Sequence, residues 1–400
     1  MTPERVAAVT PERVATAIPE RVAASLAQLP RPVCAYVYDT GALRARAAAV
    51  RAALPGTAAL LYAVKANGHH GVVAALAGTL DGLEVASGGE LDLALAAGVR
   101  RIAFSGPAKT RVELAAAVAA GATVNTAVTI NAESVLELRR LVAAAAGRPV
   151  RVALRVNRAG AGLTGSHHMV GTPTPFGLDE ADLATAVEVA GPLDVVGFHL
   201  HAVSNNLDAV AHAAYVHEAV AWSRAAADRY GIDLREVNLG GGFGVSYDTG
   251  ARFDLEALAG GLAGLPPDLP LVFELGRYLA AGAGWYAAEV LDLKRTHGRW
   301  FAVLRGGTHH FRLPAAWGYS HPFEVLPMPP AEPGPLPSVY GVEVDAVGEL
   351  CTPRDVLARG QRVDRLRVGD VLVFGNAGAY GWDISHHEFL RHPYPQMVIV

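Results

Sequence analysis

The 400-residue chain has two cysteines, Cys34 and Cys351, and three lysines, Lys65, Lys109 and Lys294. Two thiols so far apart exclude a disulfide framework and fit a reducing compartment, the cytoplasm. Long apolar runs are missing too: Gly, Pro or a charge breaks each one, which excludes a membrane-spanning helix. The N-terminus has no apolar core of the kind a signal peptide needs. Neither sign of charge dominates. With 34 Lys and Arg against 38 Asp and Glu, the net charge of −4 gives no broad attraction to nucleic acid or anionic membrane. There is no Walker lysine and no dinucleotide fingerprint. Histidines pair at 69/70, 167/168 and 386/387, but no cysteine or acid stands at metal-ligand spacing from them.

What is present suits a large interior: 51% of residues are hydrophobic and 18% charged, and this length implies two domains. The motif Pro-Glu-Arg-Val-Ala begins at Pro3, Pro11 and Pro19. Proline suits the first position of a helix, and three short copies predict a frayed or loosely docked helical extension over 1–30 without chemistry of its own. From there short apolar runs alternate with Ala-, Leu- and Glu-rich stretches. The runs lie at 58–64, 83–86, 101–104, 123–128, 150–156, 195–200, 236–239 and 271–273. Eight strand-then-helix units predict an α/β fold, a (β/α)8 TIM-like barrel over 40–284, with a doubly wound open sheet as the competing arrangement. Beyond 284 the texture turns to strands separated by Pro and Gly. That predicts a C-terminal β-rich domain over 285–400, joined by residues 31–39.

Barrels of this kind place chemistry at the C-terminal ends of their strands. There the sequence sets Lys65, Glu84, His199, His201, the run Asn238-Leu-Gly-Gly-Gly-Phe-Gly244, and Glu274-Leu-Gly-Arg277. A lysine at a strand end ordinarily marks where the strand meets water. Here it shares a rim with groups of a single purpose. Gly240, Gly241 and Gly242 offer bare backbone N–H groups to a phosphate, and Arg277 adds a forked donor. His201 can lie flat on an aromatic ring, and Glu274 can keep a pyridine nitrogen protonated. Together they fit pyridoxal 5'-phosphate, with Lys65, the one lysine leaving an apolar strand, as the Schiff-base residue.

With these motifs the sequence resembles the fold-type III pyridoxal-phosphate enzymes, the alanine-racemase-like barrels that include diaminopimelate, ornithine and arginine decarboxylases. Tyr62-Ala-Val-Lys-Ala-Asn67 is similar to the family's cofactor-lysine motif, and Glu84-Val-Ala-Ser-Gly-Gly-Glu90 to its second-strand motif. The resemblance implies an arginine partner for Glu84, for which Arg155 is the candidate. It implies phosphate contact by Ser204 and cofactor contact by Tyr380. Glu349-Leu-Cys-Thr-Pro-Arg-Asp355 is similar to the decarboxylase segment, which makes Cys351 the proton donor, supplied across a homodimer with shared active sites. Glu274 and Cys351 argue for decarboxylation over an amino-acid racemase or a non-catalytic cofactor-binding relative.

Two departures bear on the substrate. Thr352-Pro353 stands where basic amino-acid decarboxylases carry an acid for the distal ammonium, with Asp355 only at a shifted spacing. This makes diaminopimelate, ornithine or lysine a poorer fit. Gly306-Gly-Thr-His-His-Phe-Arg-Leu-Pro314 gathers His309, His310 and Arg312, which suit carboxylates. That stretch resembles the branch that decarboxylates citryl-amino acid conjugates in carboxylate siderophore biosynthesis. Substrate contact is therefore expected from His309, His310, Arg312, Thr352 and Asp355. The segment 160–177, rich in Gly, Thr, Pro and His, is expected to be a mobile loop over the site.

Overall fold

The computed structural model describes residues 17–123, 125–160, 162–330 and 333–400. The first two copies of the Pro-Glu-Arg-Val-Ala motif lie outside them. The third forms helix α1 (Glu20–Ala27), and it is not frayed. Val22 and Leu26 are fully buried against Val33, Val37, Ala287 and Val373. The spacing of four puts both on one face, and Arg21 pairs with Asp39.

After strand β1 (Cys34–Tyr38) come the eight parallel strands of a closed barrel. They are β2 (Ala59–Ala63), β3 (Gly82–Val85), β4 (Arg101–Phe104), β5 (Ala127–Ala132), β6 (Arg151–Asn157), β7 (Asp194–His199), β8 (Glu236–Asn238) and β9 (Leu271–Leu275). Each pairs with the next, and β9 closes the ring on β2 with Phe273 opposite Leu60. The open-sheet alternative is thereby excluded. The intervening helices start on side-chain caps that the sequence supplies. Ser87 accepts the Glu90 amide, Ser134 the Glu137 amide and Asp208 the Ala211 amide, while Thr110 and Glu113 form a reciprocal capping box. Each cap ends a strand-to-helix loop, so the rim loops stay short.

The fifth strand lies several residues beyond the run 123–128. Its inward-facing Thr129 and Asn131 are polar and buried, which interrupts the apolar pattern that a sequence reading follows.

The second sheet takes β1 together with β10 (Gly284–Thr296), β11 (Arg299–Leu304), β12 (Phe323–Leu326), β13 (Ser338–Val347), β14 (Val356–Arg367), β15 (Val371–Phe374) and β16 (Gln396–Ile399). The long strand β10 organises it. Its first half pairs with β1 and β15, its second half with β11. β1 also runs parallel to β16, which brings the last residues beside the strand that leads into the barrel. Loops of this sheet reach the barrel rim: Ala66 O accepts the Tyr380 amide at 2.7 Å, and Asn67 Nδ2 donates to Gly378 O at 2.9 Å.

The segment 160–177 is tied to its surroundings rather than free. Residues 167–168 pair antiparallel with 203–204, Asn157 Oδ1 accepts the Gly171 amide, and Glu133 Oε2 accepts the Gly177 amide. Polar side chains of neighbouring strands supply these partners, which its own composition does not reveal. Among the described residues no helix is long and apolar enough to cross a membrane.

Candidate active site

A cleft opens at the C-terminal rim of the barrel, with about 570 Å³ of space counted to its mouth. Lys65 stands on a single tight turn immediately after β2. Its amine reaches Glu84 Oε2 on β3 at 2.6 Å, and 46% of its side chain is accessible. Burial opposes the charged amine, but the Glu84 carboxylate, with Tyr380 and Glu274 behind it, outweighs that and holds the pKa above the usual lysine range. Glu84 is fully buried, and its Oε1 has no partner among the described residues.

The expected Glu84–Arg155 pair is not formed. Arg155 Nη1 bonds Glu133 Oε1 at 2.7 Å instead, under the ring of Phe176. Glu133 comes from the loop after β5 and was not singled out from sequence; it also accepts the Gly106 amide at 2.7 Å. Following the strand next to that of Arg155, whereas Glu84 lies three strands away, it takes the guanidinium and leaves Glu84 to the lysine.

Glu274, on β9, is buried and held from three sides. Asn238 Nδ2 donates to its Oε1 at 2.6 Å, Asn131 Nδ2 to the same atom at 3.3 Å, and His199 Nε2 lies 3.1 Å from Oε2. Burial pushes its pKa up, yet His199, Lys65 and the Asn238 amide together push it further down, so the carboxylate stays ionised. His199 and Asn238 stand at the strand ends named from sequence, though not as partners of Glu274, and Asn131 carries no sequence signal of its own.

His201 lies parallel to His199, 6.5 Å between ring centres and 5° between planes. Burial, with the charges of Arg155 and Lys65, drops its pKa well below the usual value. The Gly241 amide donates to its Nδ1 at 3.1 Å, which leaves the proton of the neutral ring on Nε2. The result is a flat, uncharged face turned to the cleft.

The glycines are required by space. A Cβ on Gly240 would stand 2.5 Å from His201 Nδ1, one on Gly241 would collide with Glu274 O, and one on Gly242 would stand 2.8 Å from Val203 O. Gly240 and Gly242 also hold positive φ, +64° and +117°. Ser204 lines the same wall. Opposite, Arg277 lies between the rings of Tyr380 and Trp317, 4.3 Å from each, and its Nη1 donates to Tyr247 OH at 2.7 Å.

The structure thus brings Lys65, Glu84, Arg155, His201, Ser204, Gly241, Gly242, Glu274, Arg277 and Tyr380 to one cleft, with Gly240 beneath it. It separates the others. Cys351 is exposed on the second sheet and does not line this cleft. His309 and His310 are fully buried, so neither meets a ligand. Their rings lie 3.8 Å apart, and burial drops His310 to about 3. Asp355 is also turned inward, accepting the Thr308 amide at 2.6 Å and the Leu350 amide at 2.8 Å. It anchors the Cys351 loop, and its charge is satisfied by backbone. Arg312 and Thr352 line a second cleft beside that loop. Among the described residues no three His, Cys, Asp or Glu side chains are grouped to hold a metal ion.

These groups fit pyridoxal phosphate. The Gly242 end of the glycine run and Arg277 suit its phosphate, whereas the Gly240 and Gly241 amides, expected to be bare, are already donated to Asn238 Oδ1 and His201 Nδ1. Neutral His201 suits its ring face, ionised Glu274 its ring nitrogen and Lys65 its aldehyde. The unpartnered Glu84 Oε1 leaves an acceptor free in the same cleft.

Comparison with known proteins agrees. Residues 40–281 match the pyridoxal binding domain of the pyridoxal-dependent decarboxylases. The 2-[(L-alanin-3-ylcarbamoyl)methyl]-2-hydroxybutanedioate decarboxylase of Staphylococcus aureus is 38% identical, over 92% of this chain and 94% of its own. Diaminopimelate decarboxylase of Aquifex aeolicus is 30% identical, over 89% of this chain and 84% of its own. The crystal structure of diaminopimelate decarboxylase from Helicobacter pylori complexed with L-lysine matches at a TM-score of 0.78 and 25% identity, with 92% of each chain covered.

Proposed function

The chain belongs to the pyridoxal-dependent decarboxylases, and from that premise we propose that it decarboxylates a carboxylate-rich amino-acid conjugate as a homodimer with shared active sites. The cofactor is pyridoxal phosphate. When bound, it supplies an aldehyde for amine capture and a ring that accepts the electron pair left as CO2 departs.

The observation that carries the reading is the ionised Glu274 at the end of β9, in the same cleft as Lys65 and the glycine cradle. With the cofactor bound, Glu274 would hold a proton at the ring nitrogen, which favours loss of CO2 over racemisation. Asn238, Asn131 and His199 keep that carboxylate in place. His201 would support the ring from one face, and the Gly242 end of the glycine run with Arg277 would hold the phosphate end. Lys65 needs to lose a proton before its amine can act, and Glu84, at 2.6 Å with a second oxygen unpartnered, is placed to take and return it. Cys351 delivers the proton to the α-carbon from a second copy of the chain. Its exposure and its absence from the lining of its own cleft support this sharing. Both cysteines are free thiols, in keeping with a cytoplasmic enzyme.

For the substrate we propose a citryl-amino acid conjugate of the kind used in carboxylate siderophore biosynthesis. Two facts support it: Thr352-Pro353 rather than an acid directly follows Cys351, with Asp355 buried and bonded to backbone, and the Staphylococcus aureus relative is named for such a conjugate. Diaminopimelate and the ornithine/lysine type are the second reading, favoured by the diaminopimelate decarboxylases among the relatives. A CO2-release screen over citryl-diaminopropionate, citryl-serine, diaminopimelate, ornithine and lysine separates the two. The expected result is release from the conjugates only, severe loss in Cys351→Ala, and disappearance of the cofactor's visible absorption band in Lys65→Ala. Activity confined to the basic diamino acids overturns the substrate reading; racemised substrate without CO2 overturns the reaction.

A further inference from the structure

Beside the loop that carries Cys351, the second sheet opens a broad cleft with about 1530 Å³ of space counted to its mouth. Three arginines converge on it from separate places in the fold. Arg312 precedes the short helix Leu313–Trp317, Arg354 sits three residues past Cys351, and Arg359 lies on β14. His386, from the segment after β15, completes the lining.

Neighbouring arginines of this sheet have carboxylate partners: Arg305 has Glu349, Arg299 has Asp345 and Arg367 has Asp370. Arg312, Arg354 and Arg359 are exposed and have no ion pair among the described residues. The acid adjoining Arg354 in sequence, Asp355, is only 2% accessible, and its two oxygens accept the Thr308 and Leu350 amides. It therefore does not answer their charge by contact. Arg359 is also fixed in place. Its amide donates to Ser320 Oγ at 2.8 Å, which joins two walls of the cleft. Three guanidinium groups gathered without a counter-charge repel one another, and each presents a planar fork that matches a carboxylate with two parallel hydrogen bonds. A lone ammonium ligand is disfavoured here, and a single carboxylate would leave most of the charge unanswered. The setting points the same way: burial and then the Arg312 charge lower the pKa of His386.

We propose that this cleft is a polycarboxylate subsite, in which Arg312, Arg354 and Arg359 hold the distal carboxylates of the substrate. It rests on the decarboxylase reading above and assigns specificity to the copy that donates Cys351. Because Arg354 shares the Cys351 loop, binding the carboxylates at that end also sets the position of the proton donor relative to the reacting carbon. The histidines of the Gly306–Pro314 stretch are then scaffold, and its arginine is the part that meets ligand.

The test uses the cofactor-loaded enzyme, whose phosphate site is already filled, and citrate and acetate as calorimetric probes. Citrate is expected to bind more tightly than acetate. The double variant Arg354→Ala/Arg359→Ala is expected to weaken citrate at least about tenfold, since charge-assisted hydrogen bonds are lost. In the same variant the KM for the citryl conjugate rises by a similar factor, while the cofactor absorption band and thermal midpoint stay as in the wild type. Arg365→Ala, exposed on β14 outside the cleft, is the control and leaves citrate binding unchanged. Equal citrate affinity and equal KM in the double variant and the wild type overturn the subsite and leave the decarboxylase reading standing. If the wild type releases no CO2 from any conjugate, that reading falls, and the citrate titration still decides the cleft.

Discussion

His212, on the helix Ala209–Tyr230, sits where a histidine is costly. It is 1% accessible, and neither ring nitrogen has a partner among the described residues. Phe243 meets it edge-on at 4.8 Å, with Phe253 and Tyr215 at 6.0 and 6.1 Å. Burial alone lowers its pKa from 6.5 to about 4. The folded state therefore binds fewer protons than the unfolded one between those values, and stability falls as the pH drops from the higher to the lower. At about pH 5 the unfolded imidazole is almost fully charged while the folded one is mostly neutral, a penalty of about 2 kcal/mol. His212→Phe removes the titrating group and keeps an aromatic ring against Phe243. The assay is urea unfolding of the cofactor-loaded enzyme at about pH 7.5 and about pH 5, wild type against variant, read as the difference of differences. Other buried histidines, such as His321, also lowered to about 4, contribute equally to both proteins and cancel. The expected outcome is that the variant loses about 2 kcal/mol less than the wild type on acidification. Identical losses, within about 0.5 kcal/mol, would refute the claim that this ring is buried and uncharged.

Glu133→Ala strips Arg155 of its carboxylate and leaves two backbone donors, Gly106 and Gly177, without an acceptor; a loss of about 3–5 kcal/mol in urea unfolding is expected, partly restored by adding Arg155→Met. Gly241→Ala drives a Cβ into Glu274 O and should raise the cofactor dissociation constant at least about tenfold by fluorescence titration, with the apoenzyme still folded.

The barrel was legible because buried parallel strands read as apolar runs and the helices between them announce their caps. β5 escaped in part, since Thr129 and Asn131 turn polar atoms inward. The β-rich domain was legible only as a texture, because long strands with one exposed face, such as β10 and β14, carry charges like Lys294, Arg362 and Arg365. The rim residues could be named from strand ends, since that position is a property of the topology. Pairings could not. Whether Arg155 meets Glu84 or Glu133 depends on which strand end is nearer, and nothing local encodes it. His309 and His310 misled for a related reason: residue type suggests ligand contact, whereas burial, set by Cys34, Tyr36 and Trp382 from distant segments, decides it.

The bonds from the Tyr380 amide to Ala66 O and from Asn67 Nδ2 to Gly378 O clamp the second sheet onto the turn that carries Lys65. Cofactor capture and the docking of the two sheets are therefore a single linked equilibrium. A molecule that occupies the rim adds its binding free energy to the cohesion of both halves, by mass action. Loading the cofactor should draw the melting of the barrel and of the β-rich half into one transition, and withdrawing it should let them part.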